Sequence, residues 1–289
     1  MAAAAPLERI VVGVDGSDAA GSALGWAGRV AEYTGAELVI AHAFGPEPSR
    51  VPPDRYAELK AETEARLAGT WLAPLDGREV RHRTRLVAGP PGALLEVADD
   101  ENADVLVVGP RGHGAFAALH FGSVAHHLAH HTTRPLVIVP LRGAAAPLDR
   151  IVLGVDGSSG GQALVRWCAR LAAGLDAEVF AVFARDPRAV WPLESSAART
   201  FMKKLGGNWA TPLHDAGVEV HPMITEGLPP VSALSTVAKD EDAGLFVVGA
   251  RGTGRRLGMR RGRIPVQLVH HAQIPVAIVP SPSGESNLL

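Results

Sequence analysis

VVGPRGHGAFAALHFGS, residues 107–123, runs out of an apolar stretch through Gly109, Gly112 and Gly114 to Gly122-Ser123, with nine residues between Gly112 and Gly122. Glycines so spaced let backbone N–H groups converge, because they tolerate φ > 0 and carry no side chain to obstruct a ligand. The pattern G-x2-G-x9-G-S is therefore that of an anion cradle, if the fold opens a crevice beside it. A tight strand-to-helix connection accounts for the same glycines without any ligand.

The chain repeats itself. RIVVGVDGSDAAGSALGWAGRV from Arg9 answers to RIVLGVDGSSGGQALVRWCARL from Arg150, so that Gly13, Asp15, Gly16, Ser17, Trp26 and Arg29 meet Gly154, Asp156, Gly157, Ser158, Trp167 and Arg170. Further on, ADVLVVGPRGHG answers to AGLFVVGARGTG, and RPLVIVP to IPVAIVP. Two copies of one domain are expected, 1–143 and 148–289, joined by LRGAAAPLD. Two copies of this length are a domain duplication and not a solenoid.

Each copy alternates strand and helix. In the first, strands are expected over 9–14, 37–43, 79–87, 104–108 and 135–139. Helices are expected after Ser17, near 54–73, at 92–100 and at 122–132. The first helix places Ala20, Ala23, Leu24, Ala27 and Ala31 on one face. Strands apolar on both faces, alternating with helices, predict an α/β fold: two tandem open parallel five-stranded sheets, order 3-2-1-4-5, with helices on both faces. The uncharged last strands, PLVIVP and PVAIVP, would lie at sheet edges, where bare backbone invites pairing. We expect these edges to be covered, by a pseudo-dimer within the chain or a homo-oligomer.

In order 3-2-1-4-5 the winding reverses between the first and fourth strands, and ligands of open parallel sheets sit at that reversal. Both strands end in polar, glycine-bearing loops, GVDGS and GPRGHG. Asp15 then faces the glycine loop across a crevice, and Gly122 and Ser123 begin a helix whose free N–H groups favour a phosphate. Asp15 and Asp156 are placed to bond ribose hydroxyls or a metal-bound water, and equally to cap the helices that follow. Arg111 and Arg251 lie inside the loops as phosphate contacts or as solvated side chains. His113 has the same two readings. The second copy keeps the glycine spacing at Gly249, Gly252 and Gly262. His126/His130 and His127/His131 form i,i+4 pairs, but no third metal ligand is indicated and a solvated helix face is the simpler reading.

Bulk properties exclude several classes. Apolar residues make up 47% of 289, which decides against disorder, and a formal charge of −2 steers the protein to neither nucleic acid nor an anionic membrane. The start MAAAAPLERI lacks a basic n-region and a long apolar core, and no apolar run reaches transmembrane length. A cytoplasmic protein without membrane insertion is expected. The single Cys168 excludes an intrachain disulfide and a multi-cysteine metal site. No G-x4-G-K-[ST] occurs, and no G-x-S-x-G nucleophile elbow is expected, although GSSGG at 157–161 has that spacing. Gly112-x-Gly114-x-x-Ala117 imitates a dinucleotide fingerprint, yet it follows the fourth strand and no acidic residue occurs in 130–145. The chain offers a cradle and no evident nucleophile.

With the strand-end Asp, the G-x2-G-x9-G-S loop and the final RPLVIVP strand, both halves resemble the universal stress protein family in its tandem, ATP-binding form. The resemblance implies ATP with Mg2+ as ligand, and a stress or dormancy role exercised through association or an unknown protein partner. It sets Asp15, with Gly13 and Val14 beside it, toward ribose or metal, and the backbone around Ala43 against adenine. Gly109, Gly112, Gly114, Gly122 and Ser123 would hold phosphate and ribose, with Val124 adjoining. In the second copy Asp156, Ala184, Gly249, Gly252 and Gly262 correspond. There the pattern departs: Arg263 stands where the ATP-binding members have Ser or Thr, and Pro265 follows. A slow ATPase or adenylyl-transferring enzyme, and a scaffold with vestigial loops, are the alternatives.

Overall fold

Ile10, Val11 and Val12 are fully buried in β1 (Arg9–Gly13), which a computed structural model places between two parallel neighbours. The structure describes residues 5–45, 51–112, 122–156, 161–184, 209–250 and 263–280. β2 (Glu37–Phe44) flanks β1, with Ile40 beside Val12, and β3 (His82–Ala88) lies beyond it. β4 (Val105–Val108) lies on the other side, with Val107 beside Val12, and β5 (Leu136–Ile138) follows. The order is 3-2-1-4-5, as expected. Stretches such as RIVVG and VLVV suit the centre of a parallel sheet because both of its faces are covered. The polar β3, HRTRLVA, is partly exposed.

The second copy repeats this plan. β6 (Arg150–Val155) pairs with β7 (Glu178–Ala184) and β9 (Leu245–Gly249); β8 (Val220–Thr225) and β10 (Val276–Val279) lie outside them. Two compact units result, Leu7–Ala145 and Ala146 onward, and the second also takes in Ala5 and Pro6. The duplicated arginines do matching work. Arg29 Nη1 donates to Ala144 O at 2.9 Å, and Arg170 donates to Ala5 O and Pro6 O at 2.8 and 2.9 Å.

α1 (Asp18–Thr34) starts where Ser17 Oγ accepts from Ala20 N, and stops at Gly35, which takes φ 71° and donates to Ala31 O. Ala20, Ala23, Leu24, Ala27 and Ala31 are all buried, as the spacing predicts. Trp26 and Trp167 are core residues, and Cys168 is buried with its thiol pushed well above the usual range by loss of solvent. α2 (Pro53–Leu67) is shorter than the predicted 54–73. Gly69 leaves helical dihedrals (φ −130°, ψ −101°) and Pro74 lacks the N–H that an α-helix needs there, so Thr70–Leu75 forms a 3-10 turn instead. That turn lies across α1, which can approach it because Gly28 has no side chain: a Cβ there would stand 2.7 Å from Leu75 Cδ2. The strand predicted from 79 begins at His82. α3 (Ala93–Asp100) and α4 (Ser123–His131) touch each other, and right-handed crossovers put them on the face opposite α1. In the second unit α5 (Gly161–Leu175), α6 (Thr211–Asp215), α7 (Pro230–Asp240) and α8 (Arg263–His271) are described.

At the amino ends of the first unit's strands, charges interlock. Arg83 Nε bonds Glu37 Oε1 at 3.1 Å and its Nη2 bonds Glu101; Arg85 bonds Glu101 Oε1 at 2.9 Å and Asp100 Oδ2 at 2.8 Å. The hydrogen bond from Arg83, reinforced by Arg85, holds the Glu101 carboxyl below its ordinary range despite partial burial. A carboxyl held low stabilises the fold fully above its unfolded pKa of about 4.3 and stops doing so as pH falls through its lower folded value. Glu101→Gln is expected to cost on the order of 1 kcal/mol at pH 7. In urea unfolding the gap between wild type and variant should shrink toward about pH 3; an unchanged gap would contradict this account.

Candidate functional site

Where β1 ends, Val14 N still donates to Ala41 O (2.9 Å), but Asp15 turns out of the sheet. Its Oδ1 accepts from Ser17 N at 3.0 Å and Ser17 Oγ at 2.6 Å, so this carboxylate does stiffen the turn into α1. The second oxygen points elsewhere. Oδ2 is turned toward Gly112, so closely that a Cβ on Gly112 would overlap it. The strand-end carboxylate and the glycine loop thus meet across the β1/β4 reversal.

β4 enters that meeting through Gly109, whose missing side chain lets it lie on the first turn of α1; a Cβ there would be 2.8 Å from Ala19 C and O. Arg111 and Gly112 are exposed. Gly122 N donates to Pro110 O at 2.8 Å, which draws the two ends of the loop together. Gly122 is the N-cap of α4 and has no side chain to satisfy the first-turn N–H groups of Ser123, Val124 and Ala125. Ser123 is exposed and Val124 half-buried at this opening. Ala43 stands near the end of β2, half-buried and beside Val87. His113 and Gly114 lie outside the described residues.

Not every glycine of the predicted set faces the crevice. A Cβ on Gly13 would be 2.8 Å from Leu94 Cδ1 and 3.0 Å from Val108 Cγ1, and one on Gly154 3.0 Å from Val248 Cγ1. Core packing under α3 and α7 accounts for both. In the second unit Asp156 follows β6, Ala184 ends β7 beside Thr225, and Gly249 ends β9. α8 opens at Arg263 with Pro265 in its first turn. Arg251, Gly252 and Gly262 lie outside the described residues. On α4, His126 Nε2 and His130 Nε2 are 3.1 Å apart and the His127 and His131 rings stack at 4.3 Å; three of the four are exposed.

One wall escaped the sequence reading. Trp71, in the 3-10 turn, lies over Gly16, and His42 meets it edge-on at 5.0 Å while its Nδ1 sits 2.6 Å from Val14 O. An aromatic pair therefore flanks the Asp15 turn on the β2 side. Trp209 lies against Gly161, the counterpart of Ala20, 3.2 Å from where its Cβ would be. The signal was legible as a repeat, GTWLAPL at 69–75 and GNWATPL at 207–213.

The sequence profile of the universal stress protein family matches residues 6–140 and 147–280. The chain belongs to that family. Universal stress protein Rv2623 of Mycobacterium tuberculosis is 27% identical to it over 294 residues, spanning 93% of this chain and 95% of its own. The crystal structure of a universal stress protein from Archaeoglobus fulgidus has the same fold, with a TM-score of 0.72 at 18% identity, over 94% of this chain and 98% of that one. A universal stress protein solved in complex with cAMP aligns with 46% of this chain and 97% of its own, at 28% identity and a TM-score of 0.39.

Gly16 takes φ +81°, and a Cβ would overlap the Trp71 indole nitrogen; Gly35 takes φ +71° with nothing within 4 Å. Gly16→Ala is expected to destabilise the fold by about 1–3 kcal/mol and Gly35→Ala by less. Denaturant titration followed by tryptophan fluorescence measures both. A Gly16→Ala loss no larger than that of Gly35→Ala would show that Trp71 moves aside freely.

Proposed function

We propose that the first unit binds an adenine nucleotide, ATP with Mg2+, in the crevice between the ends of β1 and β4. Nucleotide state then regulates the association or partner choice of the protein. The observation that carries this reading is the approach of the Asp15 carboxylate to Gly112, in a loop that closes onto an uncapped helix start. Phosphate would lie against the backbone of Gly109, Gly112, Gly122 and Ser123, where helix N–H groups and the helix dipole favour an anion. Arg111 would add charge, and the backbone at Ala43, with Val14, would lie toward the base. Membership of the universal stress protein family is consistent with this assignment.

The donor set suits Mg2+, which is bound by one or two carboxylates together with substrate phosphates. The lack of a side chain at Gly112 leaves space beside Oδ2 that a Cβ would fill. Bound there, Mg2+ would neutralise phosphate charge; Asp15 would hold it, with Ser17 fixing the orientation of the carboxylate. Phosphoryl transfer also needs an oriented water and stabilisation of developing charge. Among the described residues none is placed for the first task, so binding without appreciable turnover is the expectation.

The two units should differ. Gly122-Ser123 presents a small helix start, whereas the second copy has six arginines in residues 251–263, Arg263 at the serine position and Pro265 lacking an N–H. A long guanidinium cannot reproduce the short contact of a serine at a crowded helix start.

Isothermal titration with Mg-ATP tests the reading. Asp15→Ala should weaken binding at least about tenfold, the equivalent of about 1.4 kcal/mol, and Asp156→Ala should change it little. Gly112→Ala should also weaken binding while the circular dichroism of the fold is retained. Equal sites, or a larger loss from Asp156→Ala, would defeat the asymmetry. Equal affinity in a folded Gly112→Ala protein would defeat the placement.

With purified protein and Mg-ATP, hydrolysis should remain well below about 1 s⁻¹, and sedimentation with and without nucleotide should differ. Turnover at or above that rate would make this an enzyme and overturn the regulatory reading.

A further inference from the structure

The two copies diverge at the amino ends of their strands, opposite the nucleotide crevice. Leu38 N donates to Arg81 O in the first, and Val179 N to Glu219 O in the second, each at 2.9 Å. Arg83 pairs with Val39, and His221 with Phe180. The register therefore equates Glu37 with Glu178, Arg81 with Glu219 and Arg83 with His221. Around Glu37 stand two guanidinium groups, Arg9 at 3.4 Å and Arg83 at 3.1 Å. Around Glu178 stand an imidazole and a second carboxylate. Arg150, the counterpart of Arg9, donates to Glu241 O at 2.9 Å as Arg9 does to Glu101 O at 2.6 Å, but forms no ion pair with Glu178. No arginine or lysine among the described residues forms an ion pair with Glu178 or Glu219.

Two substitutions, Arg81 to Glu219 and Arg83 to His221, thus remove two positive charges and add a negative one near a retained carboxylate. The imidazole is held in a fixed attitude: its ring stacks on Phe180 at 4.8 Å and 20°. Its Nε2 is closed off from solvent and has no hydrogen-bond partner, although Glu178 Oε2 lies 3.4 Å away and Glu219 Oε1 3.6 Å away. An orphaned ring nitrogen between two carboxylates costs free energy unless something satisfies it.

These distances suit a shared cation. Zinc takes nitrogen and carboxylate ligands at about 2.0–2.2 Å in a tetrahedron, whose ligand atoms then stand roughly 3.3–3.6 Å apart. Both edges from Nε2 already have that length. The three donor atoms all lie within 4.8 Å of one another, and rotation of the exposed Glu219 side chain shortens the remaining edge. We propose that Glu178, Glu219 and His221 bind a divalent cation of the zinc class, with water in the fourth position. Mg2+ is the poorer fit, since it demands an octahedron of oxygen ligands. The cation clamps the edge strand β8 to β7, the task that Arg83 performs for β3 and β2 in the first unit.

The test is titration of the nucleotide-free full chain with Zn2+, by calorimetry and by thermal unfolding. Wild type should bind a saturable equivalent that raises the unfolding temperature. His221→Gln should lose that equivalent, and Glu219→Gln should weaken it at least about tenfold. His126→Gln, which breaks the exposed pair on α4, should retain it. The double variant Glu219→Arg/His221→Arg, which restores the first unit's residues, should fold and lose the equivalent, and so serves if His221→Gln is unstable. Loss confined to His126→Gln, unchanged binding in folded variants at 219 and 221, or no saturable binding by wild type would each overturn the proposal.

Discussion

A right-handed crossover can leave a parallel strand on only one side of the sheet for a given direction of travel. β1 leads toward β2 and β4 leads toward β5, so the chain must leave these two neighbours to opposite faces. Their carboxyl ends part there, and no other adjacent pair in the unit is separated in this way. Everything at the candidate site depends on that parting. It brings Asp15 within reach of Gly112, it lets Gly109 settle on the first turn of α1, and it leaves α4 to begin where the loop closes at Gly122. The same residues on a sheet wound in one direction would have their loop covered by a helix.

Much of this was legible because its signals are local or repeated. The apolar strands, the alternation with helices and the 3-2-1-4-5 order follow from patterns of a few residues together with the handedness of crossovers. Asp15 could be placed at the crevice because its strand and the loop both carry polar, glycine-bearing ends. Its double duty could not be read: one oxygen braces Ser17 while the other faces Gly112, and that division depends on a side-chain torsion. Gly13 was misleading for a related reason. In sequence it sits two positions before Asp15, but its bare Cα serves the packing of Leu94, a residue 81 positions away.

The 3-10 turn at Thr70–Leu75 was obscured by its neighbours. Helical spacing continues past Leu67, and only the dihedral break at Gly69 and the missing N–H of Pro74 end it. Trp71 could then be carried over Gly16 by packing that no periodicity records: Leu75 docks where α1 has Gly28, and the rest of the turn follows. Comparing the two copies would have exposed the segment, since W-x-x-P-L persists while the residues around it change.

Duplication also separates what the fold requires from what each copy does with it. Gly13 and Gly154, and Arg29 and Arg170, hold corresponding places, so these residues answer to packing common to both units. Two places differ instead. At the carboxyl ends, Ser123 corresponds to Arg263; at the amino ends, Arg81 and Arg83 correspond to Glu219 and His221. The first difference places a bulky cation at the start of α8, and the second removes two cations from the start of β8. Neither affects the hydrophobic strands that order the sheet, which is why both could change while the core of each unit stayed the same. Both differences lie at the ends of strands, where a substitution alters charge without altering the packing that positions it.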